Sequence, residues 1–397
     1  MSTHTPHPRT ASRTHVFTES VIREMTRVAA MHEAINLAQG FPDFPAPDAL
    51  KAAACDAIRR DLNQYAVTWG SPRIRRALQE TYDRWYGWDV DPDREVTVTC
   101  GATEAMASAL LAVVDPGDEV VVLEPFYENY GPDAILCGAR PVWVPMERTH
   151  DAGGHRFVLD LDRLRGAFSA ETRAIVLNTP NNPSGQVLSR AELGAIAALC
   201  REHDAVAFTD EIYEHILYDG EHVPLASLEG MKERTVTISG ASKTFSVTGW
   251  RVGWIVAPPG ITDAIRKVHD FLTVGAPAPL QDAVAAGLET LGDDYYAALA
   301  SDYRRRRDVL HHALAQAGFD CSPPAGAYYI LADFSGLSDE DDNTFARRMA
   351  REIGVAPVPG SSFFHERDLG RDLVRFAFCK KLDTLEEAGR RLRDLKP

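Results

Sequence analysis

Short hydrophobic runs alternate with amphipathic stretches along most of the chain, as expected for strands separated by helices. Seven runs rich in Val, Ile and Thr are bounded by Gly, Pro, Asp or Asn, and they predict strands at 96–99, 119–123, 141–144, 174–177, 206–209, 235–238 and 253–256. Their near-continuous hydrophobicity suits strands that are buried on both faces of a mostly parallel sheet. Alternating β and α units of this number predict an α/β domain of three layers.

The pattern changes after residue 277, where helical segments dominate. Helices are predicted near 279–291, 294–317, 343–353 and 384–395, with strands near 327–331 and 373–378. This arrangement predicts a smaller α+β domain. A helix at about 16–34 is expected to pack with it, which makes the small domain discontinuous. The chain is therefore divided into a loose tail (1–15), an N-terminal segment (16–46), a large domain (47–277) and a small domain (278–397).

Composition narrows the possible partners and compartment. The 397 residues include 57 acidic and 42 basic ones, for a formal net charge of −15. Nucleic acids and anionic membranes need a basic surface, so this balance argues against both as partners. The hydrophobic runs fall far short of the roughly 20 residues that a membrane span requires. The six cysteines are scattered without a CxxC pair, so we expect no metal site and a cytoplasmic, reducing location.

Lys243 differs from the other lysines because it follows a predicted strand and lies among small uncharged residues. A lysine in such a loop can be partly desolvated, which lowers its pKa and makes the amine a nucleophile. A phosphate-binding or surface-reaching lysine would give the same local pattern, and these residues alone do not decide between the two. Two other lysine motifs are excluded, since a Walker A loop needs glycine at Ser242 and a penicillin-binding motif needs serine at Gly240.

Three other strand ends carry candidate site residues. Asp210 follows the strand at 206–209, and a carboxylate at this edge of an α/β sheet suits a ligand site, although Asp is also a common helix N-cap. The strand at 174–177 ends in the turn-forming segment NTPNNPSG at 178–185. A Gly and two small residues, 101–103, open a helix after the strand at 96–99, and the backbone N–H groups of such a helix N-terminus can bind an anion.

Taken in order, these segments resemble the class I and II aminotransferases, which are pyridoxal 5'-phosphate (PLP) enzymes of fold type I. The resemblance covers about residues 17–395 and rests on NNPSG at 181–185, DEIY at 210–213 and SKTFSVTGWR at 242–251. The segment INLAQGFPDF at 35–44 is most similar to the subgroup of kynurenine, glutamine and methionine aminotransferases and cysteine-conjugate β-lyases. The implied fold is a three-layer α/β/α large domain with a smaller discontinuous α+β domain.

The resemblance implies a role for each candidate residue in holding PLP. Lys243 matches the family's Schiff-base lysine, and Asp210 matches the carboxylate that keeps the pyridine nitrogen protonated. Tyr213 and Asn182 match hydrogen-bond partners of the ring hydroxyl. The remaining matches are Gly101, Ala102, Thr103, Ser242 and Arg251 around the phosphate and Tyr127 over the ring face. The expected catalytic residues are Lys243, Asp210 and Tyr213.

Substrate and subunit contacts are also implied by the resemblance. Arg375 matches the arginine that grips the substrate α-carboxylate, with Asn182 and the backbone of Gly40 at the same end. Tyr65 matches a residue that reaches the phosphate of the partner subunit in a homodimer, where it completes the neighbouring site. Many relatives have a phosphate-binding serine where this chain has Gly240, so Ser242 or Ser239 is expected to replace it.

The pocket for the substrate side chain is expected to be formed by Val16, Phe17, Tyr65 and residues 271–276. These positions suggest tolerance of apolar or neutral side chains. No arginine is assigned to a second substrate carboxylate.

The leading hypothesis is an aminotransferase of amino-acid metabolism that moves the amino group of an L-amino acid to a 2-oxo acid, through a Lys243 Schiff base and a pyridoxamine phosphate intermediate. A PLP-dependent β-lyase or amino-acid oxidase would share Lys243, Asp210 and Arg375. A requirement for an added oxo acid would separate these activities. A third hypothesis, the aminotransferase-like domain of a transcription regulator, fits less well because such domains follow a DNA-binding segment and this chain is acidic.

Overall fold

The computed structural model describes residues 10–151 and 154–395. Most of the predicted tail, residues 1–9, lies outside the described residues, and Ser12–His15 form a 3-10 turn. The strands are β1 (Ile35–Asn36), β2 (Val96–Thr99), β3 (Glu119–Glu124), β4 (Arg140–Pro145), β5 (Glu147–Asp151), β6 (Gly154–Val158), β7 (Thr172–Asn178), β8 (Val206–Asp210), β9 (Thr235–Gly240), β10 (Gly253–Val256), β11 (Tyr329–Asp333), β12 (Val355–Ala356), β13 (Val358–Pro359) and β14 (Leu373–Ala377).

The helices separate these strands along most of the chain. They are α1 (Val21–Met31), α2 (Asp48–Arg59), α3 (Pro72–Tyr86), α4 (Ala102–Val113), α5 (Tyr130–Leu136), α6 (Leu161–Gly166), α7 (Arg190–Glu202), α8 (Ala241–Thr244), α9 (Pro259–Leu272), α10 (Ala278–Thr290), α11 (Asp293–Gln316), α12 (Asp342–Arg348) and α13 (Leu382–Leu392). Within residues 10–151 and 154–395, no helix is both long and apolar enough to cross a membrane.

All seven strands predicted between residues 96 and 256 lie in one sheet, in the order β2-β10-β9-β8-β7-β3-β4. Its pairs are parallel except that β10 is antiparallel to both of its neighbours. The strands β8, β9 and β10 are buried at every residue, which explains their unbroken hydrophobic runs.

Helices cover both faces of this sheet, as the predicted α/β class requires. On one face, Val176 of β7 and Phe208 of β8 pack with Met106 of α4. On the other face, Ile175 and Ala207 from the same strands pack with a cluster that includes α7. Because successive side chains of a strand point to opposite faces, adjacent residues supply the two cores, and the result is three layers.

A second, antiparallel sheet of β11, β14 and β13 lies in the C-terminal part of the chain. The helices α11 and α13 and the N-terminal helix α1 share one hydrophobic core with it. β1 pairs in parallel with β12, which also joins the N-terminal segment to this part. α1 is shorter than the predicted helix at 16–34, because the Ser20 side chain accepts the backbone N–H of Arg23 and caps the helix there.

Two local features differ from the sequence prediction. The antiparallel pair β5 and β6 was not predicted, since Glu147–Asp151 carries no alternating hydrophobic residues. The helix predicted near 343–353 is divided into α12 and a π-helical turn at Met349–Ile353. Neither feature reaches the cavity described next.

Candidate active site

A cavity of about 500 Å³ lies at the carboxyl ends of β7 and β8, where Asn178 and Asp210 complete these strands. Open α/β sheets bind their ligands at this edge. Eleven of the thirteen predicted site residues line the cavity: Gly40, Ala102, Thr103, Tyr127, Asn182, Asp210, Tyr213, Ser242, Lys243, Arg251 and Arg375. Gly101 directly precedes the lining residue Ala102, and Tyr65 lies outside the cavity.

Lys243 lies in α8, which directly follows β9, so the end of a buried strand fixes its position. Its Nζ is 3.4 Å from the backbone oxygen of Gly40 and lies over the ring of Tyr213 at 5.9 Å. Burial lowers the pKa of Lys243 to about 8, although the nearby Cys379 and Asp210 oppose this shift. A lysine with this pKa is partly unprotonated near neutral pH, which favours the nucleophilic interpretation of the sequence.

Asp210 is buried, and both of its carboxylate oxygens accept hydrogen bonds. Oδ2 accepts the Tyr130 hydroxyl at 2.8 Å, and Oδ1 accepts the backbone N–H of Ile212 at 3.2 Å. Burial raises the pKa of Asp210 to about 6, while Tyr130, the Ile212 amide and Lys243 act in the opposite direction. The bond to Ile212 is the local backbone bond that Asp commonly makes at a turn, but the carboxylate also lines the cavity, where it can face a cationic group.

The N-terminus of α4 and the guanidinium of Arg251 form a cradle for an anion. A Cβ at Gly101, which has a φ of 84°, would lie 2.3 Å from Nη2 of Arg251, so only glycine permits this close approach. Arg251 itself has a φ of 53°, which costs a non-glycine residue about 1 kcal/mol. Its Nη1 donates to the backbone oxygen of Thr248 at 3.0 Å. Backbone N–H groups and an arginine together suit a phosphate group.

The two candidate serines near the lysine have different surroundings. Ser239 is buried in β9 and donates a hydrogen bond of 2.5 Å to Glu214, so its hydroxyl is directed into the protein. Ser242 lines the cavity one residue before Lys243. Of the two, Ser242 is therefore the one placed to contact a ligand.

Arg375 is completely buried in β14, and its side chain is held from several directions. Nη1 donates to Oδ1 of Asn182 at 2.6 Å and Nη2 donates to the backbone oxygen of Ala38 at 2.5 Å. The guanidinium also lies over the ring of Tyr329 at 4.3 Å. Among the described residues, its Nε has no hydrogen-bond partner. A fixed, buried guanidinium in a cavity suits a planar carboxylate.

A group of aromatic side chains joins Arg375 to Lys243. The hydroxyls of Tyr213 and Tyr329 are 3.0 Å apart, and the Tyr328 hydroxyl donates to the backbone oxygen of Gly40 at 3.0 Å. A Cβ at Gly40 would lie 2.0 Å from the Tyr329 hydroxyl, which explains why glycine occupies this position. Burial raises the pKa of Tyr213 well above its usual value, so its hydroxyl keeps its proton and can donate it in a hydrogen bond.

In a single chain, the residues predicted to form the side-chain pocket lie away from the cavity. Val16 and Phe271 are exposed, and none of Val16, Phe17 and residues 271–276 lines the cavity. The first turn of α1 lies there instead and contributes Ser20, Ile22 and Arg23. Arg23 was not considered in the sequence analysis, which assigned no arginine to a second carboxylate.

Sequence reasoning also missed Tyr130, Asn178 and Tyr329. Asn178 donates to the backbone oxygen of Asp210 at 2.8 Å and accepts the backbone N–H of Asn182 at 2.7 Å, so it joins two site segments. Its position at a strand end is the same signal that identified Asp210. Tyr130 lies three residues after Tyr127, at the start of α5, whereas nothing local distinguishes Tyr329 from a core aromatic.

Comparisons with known proteins identify aminotransferases as relatives of this chain. The family model described as aminotransferase class I and II matches residues 32–392. The chain is 42% identical over 392 residues to the probable N-succinyldiaminopimelate aminotransferase DapC of Mycobacterium tuberculosis, which covers 96% of this chain and 98% of the relative. It is 38% identical over 401 residues to human kynurenine–oxoglutarate transaminase 1, with 94% and 95% covered.

Solved structures give the same result. The N-succinyldiaminopimelate aminotransferase of Mycobacterium tuberculosis superposes with a TM-score of 0.93 at 43% identity, covering 97% of this chain and 100% of that one. YbdL of Escherichia coli, described as having a methionine aminotransferase function, superposes with a TM-score of 0.92 at 36% identity, covering 98% and 100%.

Proposed function

The chain belongs to the class I and II aminotransferases, which are PLP-dependent enzymes, and we propose that it moves the amino group of an L-amino acid to a 2-oxo acid at the cavity beside Lys243. One observation carries this proposal: a buried carboxylate, an anion cradle, a buried guanidinium and an amine of lowered pKa share a single cavity. Each is a group that PLP or an amino acid needs, and the volume of about 500 Å³ suits a ligand of this size.

In this proposal, different residues of the cavity bind different parts of the cofactor. Lys243 holds PLP covalently, Asp210 faces the pyridine nitrogen, and Arg251 binds the phosphate. The phosphate also contacts the N-terminus of α4 and the hydroxyl of Ser242. When bound, PLP supplies an electron-withdrawing ring that acidifies the α-hydrogen of an amino acid. The pKa of Asp210, at about 6, leaves its carboxylate ionised at neutral pH, so it can keep a ring nitrogen protonated.

Arg375 and Lys243 act on the substrate itself. Arg375 orients the amino acid by its α-carboxylate, and the bonds to Asn182 and Ala38 keep the guanidinium in place. Lys243, once its amine is free, would act as the general base that takes the proton from the substrate α-carbon. It would then act as the general acid that passes this proton to the cofactor. A pKa of about 8 suits both tasks near neutral pH.

We propose further that the working unit is a homodimer in which Tyr65 completes the neighbouring site. Tyr65 and Phe271 are 90% and 93% exposed, which is unusual for large side chains of a monomer. The two segments are adjacent, since Thr68 and Gly275 are in contact. The backbone oxygen of Gly275 also accepts the thiol of Cys100, which directly precedes Gly101. This apolar surface thus adjoins the anion cradle, as a shared phosphate site requires.

The division into a large domain at 47–277 and a small domain formed by 16–46 and 278–397 remains our proposal. The hydrophobic core around β11, β13 and β14, which α1, α11 and α13 share, supports it, whereas α10 at the start of the predicted small domain packs against α2 and α3 of the large one. We also propose a cytoplasmic location, which the six unpaired cysteines support.

The function is tested by asking whether turnover needs an oxo acid. Purified protein loaded with PLP is mixed with methionine, kynurenine, glutamate or an S-substituted cysteine, which carries a leaving group on its β-carbon, and the absorbance of the bound cofactor is followed. An aminotransferase converts its cofactor once and continues only when a 2-oxo acid such as oxoglutarate is added. Continued release of ammonia without an oxo acid would indicate a β-lyase, and oxygen consumption would indicate an oxidase; either result would contradict the proposal.

A further inference from the structure

Three arginines line the cavity, and the proposed reaction uses only Arg251 and Arg375. Arg23, on the first turn of α1, lines the same cavity as Arg375. Arg375 is completely buried and held by Asn182, whereas Arg23 is exposed at the mouth, beside Tyr127 and Glu128. A bound amino acid that places its α-carboxylate on Arg375 therefore has a second cation available to its side chain.

The guanidinium of Arg23 has no partner of its own. Within residues 10–151 and 154–395, it forms neither a hydrogen bond nor an ion pair. Burial raises the pKa of the nearby Tyr127 hydroxyl, and the charge of Arg23 acts in the opposite direction. The acids around it are engaged elsewhere. Glu19 pairs with Arg27 at 2.8 Å, Glu24 pairs with Arg347, and Glu128 accepts the hydroxyl of Ser20.

We propose that Arg23 binds a carboxylate at the end of the substrate side chain and so directs the site towards amino acids and 2-oxo acids with a second acidic group. This inference rests on the proposed function, because it assumes that Arg375 binds the α-carboxylate of the substrate. An arginine fork pairs with a carboxylate through two parallel hydrogen bonds, a geometry that a neutral amide or thioether cannot match.

The negative charge of Glu128 is expected to weaken the preference for substrates with a second acidic group, and its replacement provides a further test. Glu128 also lines the cavity, and its negative charge repels a second acid. Its hydrogen bond from Ser20 holds it next to the first turn of α1. Replacing Glu128 with Gln keeps the shape and removes the charge, so this variant is expected to bind a dicarboxylate more tightly than the wild type does.

The chain offers a matched control. Arg27 lies one turn further along the same helix, carries the same charge and is exposed, but it is paired with Glu19 and does not line the cavity. Arg23→Met and Arg27→Met therefore change the net charge of α1 equally, and only the first removes a group from the cavity. Arg23→Lys keeps the charge and removes the fork.

The test measures binding first, so that it does not depend on turnover. PLP-loaded protein is titrated calorimetrically with glutarate and adipate, and with the monocarboxylates butyrate and pentanoate. The wild type is expected to bind the better dicarboxylate at least about tenfold more tightly than the monocarboxylates, as one charge-assisted hydrogen bond provides. Arg23→Met should remove this difference, Arg23→Lys should reduce it, and Arg27→Met should leave it unchanged.

Single-turnover rates then compare glutamate and 2-aminoadipate with glutamine and methionine. Arg23→Met should lower kcat/KM about tenfold or more for the two acids and leave the neutral amino acids within about twofold. Equal binding of mono- and dicarboxylates by the wild type, or an equal effect of Arg23→Met on acidic and neutral substrates, would overturn the inference. Conversion of methionine in the same experiment shows that the proposed function holds in either case, and its failure with every amino acid would count against that function instead.

Discussion

The hydroxyl of Tyr130 donates a hydrogen bond of 2.8 Å to the carboxylate of Asp210. This contact stabilises the ionised form of a buried acid, because burial alone would raise its pKa further than the value of about 6. In the proposed site, Tyr130 acts through Asp210, because it helps to set the pH at which the carboxylate is ionised.

In Tyr130→Phe, the loss of PLP affinity at low pH is expected to begin at a higher pH than in the wild type. Loss of a charge-assisted hydrogen bond, worth about 1.5–3 kcal/mol, raises the pKa of Asp210 by about one unit or more. The affinity of the apoprotein for PLP is measured across the pH range in both proteins. The phosphate of PLP titrates identically with both proteins. A shift in the low-pH part of the affinity profile therefore reports the change at Asp210. An unchanged profile in the variant would show that Tyr130 does not act on this carboxylate.

Arg375→Lys is expected to damage substrate binding much more than cofactor binding. Lysine keeps the charge but loses the planar fork, whose separate nitrogens reach Asn182 and Ala38 and can pair with both oxygens of a carboxylate. The loss of one or two charged hydrogen bonds should raise KM for amino acids by about 10- to 100-fold. PLP affinity, measured by fluorescence titration of the apoprotein, should change by less than about threefold. Equal losses in both quantities would move Arg375 out of the substrate site.

Tyr65 provides a test of the dimer. Tyr65→Ala and Lys243→Ala are each expected to be nearly inactive, one for lack of a phosphate contact and the other for lack of the covalent anchor. If sites are shared, a mixed dimer has one site with both lesions and one with neither. Activity should return to about a quarter of the wild-type value after random exchange of subunits. Exchange without any recovery would mean that Tyr65 serves its own subunit or none.

The buried side chain of Asp133 is expected to make the folding stability of the protein depend on pH. It is buried at the cavity wall, its Oδ2 has no hydrogen-bond partner among the described residues, and burial raises its pKa from 3.8 to about 7. Folding therefore favours the protonated carboxyl, and stability falls as the pH rises from about 4 to about 7.

Asp133→Asn should remove this loss of stability, because the amide mimics the protonated acid. The melting temperatures of PLP-loaded wild type and variant should be similar near pH 4 and should diverge towards pH 8, where the variant gains up to about 4 kcal/mol. Other titrating groups are common to both proteins and cancel in the difference. A difference that does not depend on pH would show that Asp133 is not a buried acid of raised pKa.

Much of this architecture could be predicted because the strands that carry the site are buried on both faces. Continuous hydrophobic runs located β7, β8 and β9, and the residues just after them, including Asp210 and Lys243, were candidates for that reason. The roles of these residues came from a family resemblance in short motifs. The structure then added that they share one cavity with Arg375, which lies more than a hundred residues further along the chain.

The site residues that could not be predicted from the sequence reach the cavity through contacts between distant segments of the chain. Arg23 lies in an ordinary amphipathic helix, and only the packing of α1 against the C-terminal part brings it to the cavity. The same holds for Tyr130 and Asp133, whose neighbours at the sheet edge decide whether they are paired. The exposure of Val16 and Phe271 was also not predicted, since apolar residues in a sequence do not show whether they lie on the surface or line a pocket.

The most direct test of the account is to find which lysine carries PLP. Treating the PLP-loaded protein with sodium borohydride fixes the cofactor to its lysine, and peptide mapping by mass spectrometry then locates it. We expect the label on Lys243 alone. Lys380 is the internal control, because it too is buried with a lowered pKa, but its Nζ donates to the backbone oxygen of Phe41 at 2.8 Å and it does not line the cavity. A label on Lys380 or on any other lysine would contradict the assignment of the site.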